Sequence, residues 1–281
     1  MDFNEIRKLT ITALFSDDIL LEQIVLKGGN AVSLVYGYTV RSSLDLDFSI
    51  EGDFADFEDT KTRLFRALEN RFSSVGLVAF DLSFERKPSA LNEGHPNWGG
   101  YVLRFKVIEN EKHSRLKDLD DIRRNALVVG PAELRTFTVQ LSKFEYCTGK
   151  AEVELDYYTI YVYTPAMIVA EKLRAICQQM PEYGLRSHST PRARDFYDIH
   201  QLITKARVVL SERDSLQLLT NVFAAKNVPV SLIARIQEQK EFHRLDWPSV
   251  QISVLGDLEE FDFYFDFVVN QASILKSLWE K

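Results

Sequence analysis

Apolar side chains recur at helical spacing through residues 3–22, where Phe3, Ile6, Leu9, Ile11, Leu14, Phe15 and Ile19 predict one long amphipathic helix. The pattern then shortens: residues 24–26 form a brief apolar lead into Gly28-Gly29, and residues 30–37 read as a short helix. Over residues 44–50 apolar and polar positions alternate, as in a half-buried strand. Phe57, Leu64, Phe65 and Leu68 place a helix over 54–73. Four extended stretches rich in Val, Phe and Tyr follow, near 77–86, 99–109, 135–146 and 150–163, with Gly, Pro and Asn clusters between them.

The rhythm changes at Thr164-Pro165. Threonine is a good N-cap, and proline is preorganised for the first helical position. Helical patterns dominate beyond this point, over about 165–180, 193–206, 212–225, 230–241 and 257–279. The aromatic run Phe261–Phe267 also alternates like a strand. Phe261, Phe265 and Val268 nevertheless join a helical stripe that continues through Ile274 and Leu278, so helix is expected. The pattern predicts an α+β chain in two parts, a mixed α/β domain over residues 1–163 and an all-helical domain over 164–281.

Composition narrows the class. The 46% hydrophobic content of these 281 residues sustains a sizeable core, and a net charge of −7 argues against a general nucleic-acid coat while leaving room for a local basic groove. No apolar run is long enough for a membrane-spanning helix, and the N-terminus, with Asp2 and Glu5, does not read as a signal peptide. Cys147 and Cys177 are far apart and outside any CxxC or His/Cys zinc pattern, so reduced thiols and a cytoplasmic location are expected.

The chemistry concentrates in residues 27–48. Lys27-Gly28-Gly29-Asn30 opens a helix whose first backbone N–H groups have no partner inside the helix and suit an anion. Asp45 and Asp47 follow on a strand whose period of two points both to one face. Each motif alone is common in plain turns and surfaces. Together, as turn, helix and strand within about 20 residues, they predict a metal–phosphate site.

Other residues admit two readings. Glu152, Glu154 and Asp156 share a strand face, as charged protection of a sheet edge or, through Glu154, as a third metal ligand. Lys172, among Ile168, Val169 and Leu173, is either a snorkelling lysine or a phosphate clamp. Asp195 serves as a cap or dipole partner near a helix start, and Asp198 lies three residues on, where it can share that face. Arg192 and Arg194 are within reach of a phosphate. Lys112, Arg115, Lys117, Arg123, Arg124 and Arg135 form a basic cluster interleaved with acids, either a solvated face or a surface that tracks RNA phosphates. The histidines have no zinc-ligand spacing and receive no catalytic role. Serine-hydrolase and P-loop signatures are missing.

Four segments in order, Lys27–Ala31, Arg41–Phe48, Ala170–Ala175 and Arg192–Ile199, make the chain similar to the AbiEii/AbiGii abortive-infection toxins, a branch of the polymerase β-like nucleotidyltransferases. The resemblance covers residues 25–200 and departs from the family at Asn30, where Thr or Ser is frequent, and at Leu44, often acidic. It implies a nucleotidyltransferase fold, a small mixed sheet flanked by helices and followed by a helical domain. It implies Mg²⁺ on Asp45 and Asp47, and a catalytic or nucleotide-contacting part for Lys172 and Asp195 contributed by the helical domain. Gly28, Gly29, Asn30 and Ser43 are then expected at the NTP phosphates, with Glu154 completing the metal site or acting as base. The implied function is a phage-defence toxin of a toxin–antitoxin pair that moves NMP from NTP onto RNA, such as a tRNA 3′ end, beside a cognate antitoxin. The same chemistry on a protein hydroxyl, and a non-catalytic binding module, are the alternatives.

Overall fold

The computed structural model describes residues 3–39, 45–89, 98–129, 133–185, 188–254 and 256–280. The chain divides into two compact units, Met1–Asn30 with Ser43–Val162, and Ala31–Ser42 with Tyr163–Lys281. Mixed α/β structure fills the first and helices fill the second, and no helix of the described residues is long and apolar enough to cross a membrane.

The first unit contains α1 (Phe3–Phe15), α2 (Asp18–Gln23), β1 (Ile24–Lys27), the single turn α3 (Gly28–Asn30), β2 (Leu46–Ile50) and α4 (Phe57–Ser73). It continues with β3 (Leu77–Lys87), β4 (Gly100–Glu109), α5 (Asn110–Arg115), α6 (Leu119–Arg124), β5 (Phe137–Ser142), β6 (Ala151–Leu155) and β7 (Tyr158–Val162). The long first helix expected over 3–22 is broken in two. Asp17 accepts from the Ile19 and Leu20 N–H groups and starts a new helix, a local competition that apolar spacing does not register. The expected strand over 150–163 is a hairpin, turned by Asp156 and Tyr157, both with left-handed backbone.

The seven strands form one sheet in the order β3-β4-β5-β2-β1-β7-β6, with β2–β5 and β1–β7 parallel and the other neighbours antiparallel. Alternation sorts its two faces. Leu26, Phe48, Leu46, Val139, Leu141, Leu103 and Phe105 lie on one face and are all buried. Phe15 of α1 packs on Phe48, and Phe72 of α4 meets Phe105 edge-on. Truncating one of these rings costs about 3–5 kcal/mol. The opposite face carries Lys27, Asp47, Ser49, Gln140 and Thr138, so the polar positions of β1, β2 and β5 line up side by side.

The second unit contains a π-helical segment, Ala31–Val35, then α7 (Pro165–Cys177), α8 (Ala193–Ala206), α9 (Arg213–Ala224), α10 (Lys240–Arg244), α11 (Trp247–Ser253) and α12 (Phe261–Ile274). The Thr164 hydroxyl caps α7 by accepting from the Met167 N–H. The ambiguous aromatic run is helix: Phe261 and Phe265, one turn apart, pack on Phe196 of α8. Residues 230–239 wind as a 3₁₀ helix where an α-helix was expected, and the three-residue step from buried Ile233 to buried Ile236 suits its three-residue turn.

Candidate active site

The acid pair is built where β1 turns into α3. Lys27 and Asp47 are directly opposed across β1 and β2, so their side chains leave the same face. The chain then reverses at Gly28, whose φ of +71° lies in the left-handed region. A Cβ added there would stand 2.7 Å from Asp47 Oδ2. Glycine is therefore required twice over, by its backbone angle and by the carboxylate beside it. On the other side of β2, Gln140 of β5 is the register partner of Asp47 and donates to Asp45 Oδ2 at 3.3 Å. Gln140 is thus the strand neighbour of Asp47 and a donor to the Asp45 carboxylate.

Behind the pair the unit is charged and buried. Lys27 Nζ lies 3.5 Å from Glu145 Oε1, with neither side chain more than 8% exposed. Asn30 differs from its expected part at a phosphate. It is fully buried, its Nδ2 donates to the Asp45 carbonyl at 2.6 Å, and its Oδ1 accepts from Arg7 at 2.6 Å. Its amide is engaged at both ends and buried, so it braces the backbone of Asp45. Ser43 lies outside the described residues, as do Arg41, Ser42 and Leu44.

Glu154 is not brought to this pair. It shares the face of Asp47, but β6 is three strand positions from β2, about 14 Å across the sheet. Glu154 pairs with Thr159, which precedes by three residues the Val162 that faces Leu26. That adds about 13 Å along the strands, toward the end of β1 away from Gly28. A shared cation needs both carboxylates within a few ångströms, so Glu154 is not a third ligand beside Asp45 and Asp47, and β6 is a charged sheet edge. Among the described residues no group of three or more His, Cys, Asp or Glu is placed to hold a metal.

The basic cluster is largely neutralised. Arg123 forks onto Asp81 at 2.6 and 2.9 Å, Arg124 pairs with Asp121, Lys112 with Glu109, Arg115 with Glu111 and Arg135 with Glu133. The first of these holds the Asp81 carboxyl down at about 2, Arg123 acting most strongly against the cost of burial and Lys106 adding to it. These pairs match the solvated-face reading of the segment.

In the second unit a buried charge cluster joins α7 to α8. Lys172 Nζ lies 2.8 Å from Asp195 Oδ1 and 2.8 Å from Asp198 Oδ2, and none of the three side chains is more than 6% exposed. Arg192 Nε contacts Asp195 Oδ2 from the same helix start. Burial opposes the charge on Asp195, but the attraction of Arg192 and Lys172 outweighs it and holds the carboxyl well below the usual range. The sequence marks Asp198 only as a neighbour of Asp195 on the helix. The tertiary fold makes it a full partner of Lys172. His243 also enters this cluster: its Nδ1 accepts from the Arg192 backbone N–H at 3.1 Å. No local pattern announces that contact, because 51 residues separate the two.

The family described as Nucleotidyl transferase AbiEii toxin, Type IV TA system, matches residues 11–267. A comparison with curated proteins gives no match. Among solved structures, JHP933 from Helicobacter pylori aligns at 17% identity over 98% of this chain and 90% of that one, with a TM-score of 0.50. An antigenic nucleotidyltransferase-like protein from Paracoccidioides brasiliensis aligns at 17% identity over 80% of this chain and 92% of that one, with a TM-score of 0.36.

Proposed function

The chain belongs to the AbiEii nucleotidyltransferase toxins of type IV toxin–antitoxin systems, and we propose that it transfers NMP from an NTP to RNA, such as a tRNA 3′ end. An acceptor hydroxyl oxygen bonds to the α-phosphorus while the bridge to the β-phosphate breaks. Pyrophosphate leaves and the hydroxyl proton is released. The observation that carries this reading is the seating of Gly28 against Asp47, which sets a helix-opening turn directly beside a carboxylate.

That arrangement fits a hard divalent cation. Two carboxylates that adjoin one strand suit Mg²⁺, which keeps several waters and shares its coordination with substrate phosphates. Asp45 and Asp47 would hold Mg²⁺, and when bound there it supplies Lewis acidity and offsets the triphosphate charge. The remaining parts fall to the chain itself. Backbone N–H groups from Gly29 onward would meet the phosphates. Lys27 lies beside the acid pair and limits its self-repulsion.

Lys172 and Asp195 serve the same reaction in this reading, in amended parts. The Lys172 charge is balanced by two carboxylates, so its work is to keep Asp195 and Asp198 ionised and fixed instead of clamping a phosphate. Arg192, with 31% of its side chain exposed, is the more accessible cation of the cluster and in this reading the one that would meet a phosphate. An antitoxin is the partner such a toxin requires.

The test is label transfer from each NTP, radioactive at the α-phosphate, with Mg²⁺ and total tRNA. RNase-sensitive label is expected from wild type, and Asp47→Ala should lose on the order of a thousandfold or more in rate. Transfer that survives in a folded Asp47→Ala protein, or label that stays on protein after RNase, overturns the proposal.

A further inference from the structure

His243 has a site-building part that lies outside the residues carrying the family resemblance. It is fully buried in α10, between Phe196 and Phe242, whose ring centres are each 5.1 Å from its own. Its Nδ1 is the acceptor for the Arg192 N–H, so the ring proton resides on Nε2. That Nε2 is buried and has no hydrogen-bond partner among the described residues. An orphaned buried donor costs about 1–3 kcal/mol, and an apolar side chain of similar size would avoid it. The Nδ1 contact is what the imidazole offers in return.

That contact completes a three-point grip on Arg192. The N–H is held by His243, the carbonyl accepts from the Asp195 N–H at 3.0 Å, and the guanidinium lies against the Asp195 carboxylate. Arg192 is also the N-cap residue of α8 and has no side-chain cap bond. Its own N–H is bonded from α10, by His243 Nδ1.

We propose that His243 is a positioning residue for nucleotidyl transfer: through Nδ1 it locks the backbone of Arg192 and so aims the partly exposed guanidinium at substrate phosphate. This rests on the function proposed above, and its test separates the two. In ¹⁵N-histidine NMR of the whole protein, His243 is expected as the neutral Nε2–H tautomer, whether or not any RNA is labelled. An Nδ1–H tautomer overturns the proposal. In the label-transfer assay, His243→Leu should lower kcat/KM about tenfold or more, and His243→Asn, whose Oδ1 can stand in for Nδ1, should recover most of it. Combining His243→Leu with Arg192→Ala should add no further loss, because one residue acts through the other. Additive losses, or an Asn variant as impaired as Leu with an unchanged melting temperature, overturn the positioning role. A wild-type protein that labels nothing defeats the proposed function and with it the positioning role, while an Nδ1–H tautomer in a protein that does label RNA defeats the positioning role alone.

Discussion

Lys172 Nζ lies 2.8 Å from Asp198 Oδ2, and the two side chains are 6% and 0% exposed. With Asp195 and Arg192 they form a cluster in which two cations balance two carboxylates inside the helical unit. Breaking such a set leaves a charge without compensation in a poorly hydrated place.

Lys172→Met should accordingly destabilise the protein by about 3–5 kcal/mol, even though it fits the apolar walls of α7. Urea denaturation measures this. A loss of less than about 1 kcal/mol would show that the cluster is better hydrated than its burial indicates.

Gly28→Ala places a methyl 2.7 Å from Asp47 Oδ2 and demands a left-handed alanine. The backbone penalty alone is about 1–2 kcal/mol, and the carboxylate must move as well. Transfer activity should fall more steeply than stability. Equal kcat/KM in Gly28→Ala and wild type would mean that the Asp47 position is not critical.

Asn30→Ala removes the buried acceptor for Arg7 and the part-buried donor to the Asp45 carbonyl. A cost of about 2–3 kcal/mol is expected from unsatisfied buried groups. If Asn30 acted on a phosphate instead, KM for the NTP would rise with the melting temperature unchanged, and thermal melts beside kinetics distinguish these outcomes.

Acid should weaken the helical unit. Burial pushes the His243 imidazole down to about 4, with Asp195 opposing and Arg192 adding to the shift. The unfolded chain takes up this proton near pH 6.5 and the folded one only near pH 4, so the unfolded state binds more protons between those values. Stability is full above about pH 6.5 and declines as pH falls through that window, by about 2 kcal/mol between pH 7 and pH 5. Urea midpoints at the two pH values should converge more in His243→Leu than in wild type. An identical drop in both would assign the acid sensitivity elsewhere.

The surface pairs of α5 and α6 give the opposite expectation. Arg123→Glu with Arg124→Glu should leave RNA binding and its salt dependence unchanged, because both arginines are already held by carboxylates. A clear drop in the salt slope would restore that face as the acceptor surface.

What the sequence determined by itself is what short-range geometry controls. A strand repeats every two residues, so the spacing of Asp45 and Asp47 points to one face, and a Thr-Pro step opens α7. The helical stripe from Phe261 onward settled helix against strand for the same reason. Strand order and burial are long-range, and no periodicity encodes them. Glu154 lies on the correct face but three strands away, because the β6–β7 hairpin adds to the far side of β1. Asn30 reads as a turn residue, and only packing against Arg7 and Asp45 turns it into a buried strut. Lys172 and Asp195 are 23 residues apart and His243 lies 51 beyond Arg192, so their meeting was decided by how the helices pack. Helix packing follows from the summed burial of apolar side chains across the whole unit, a quantity that no local window of sequence contains.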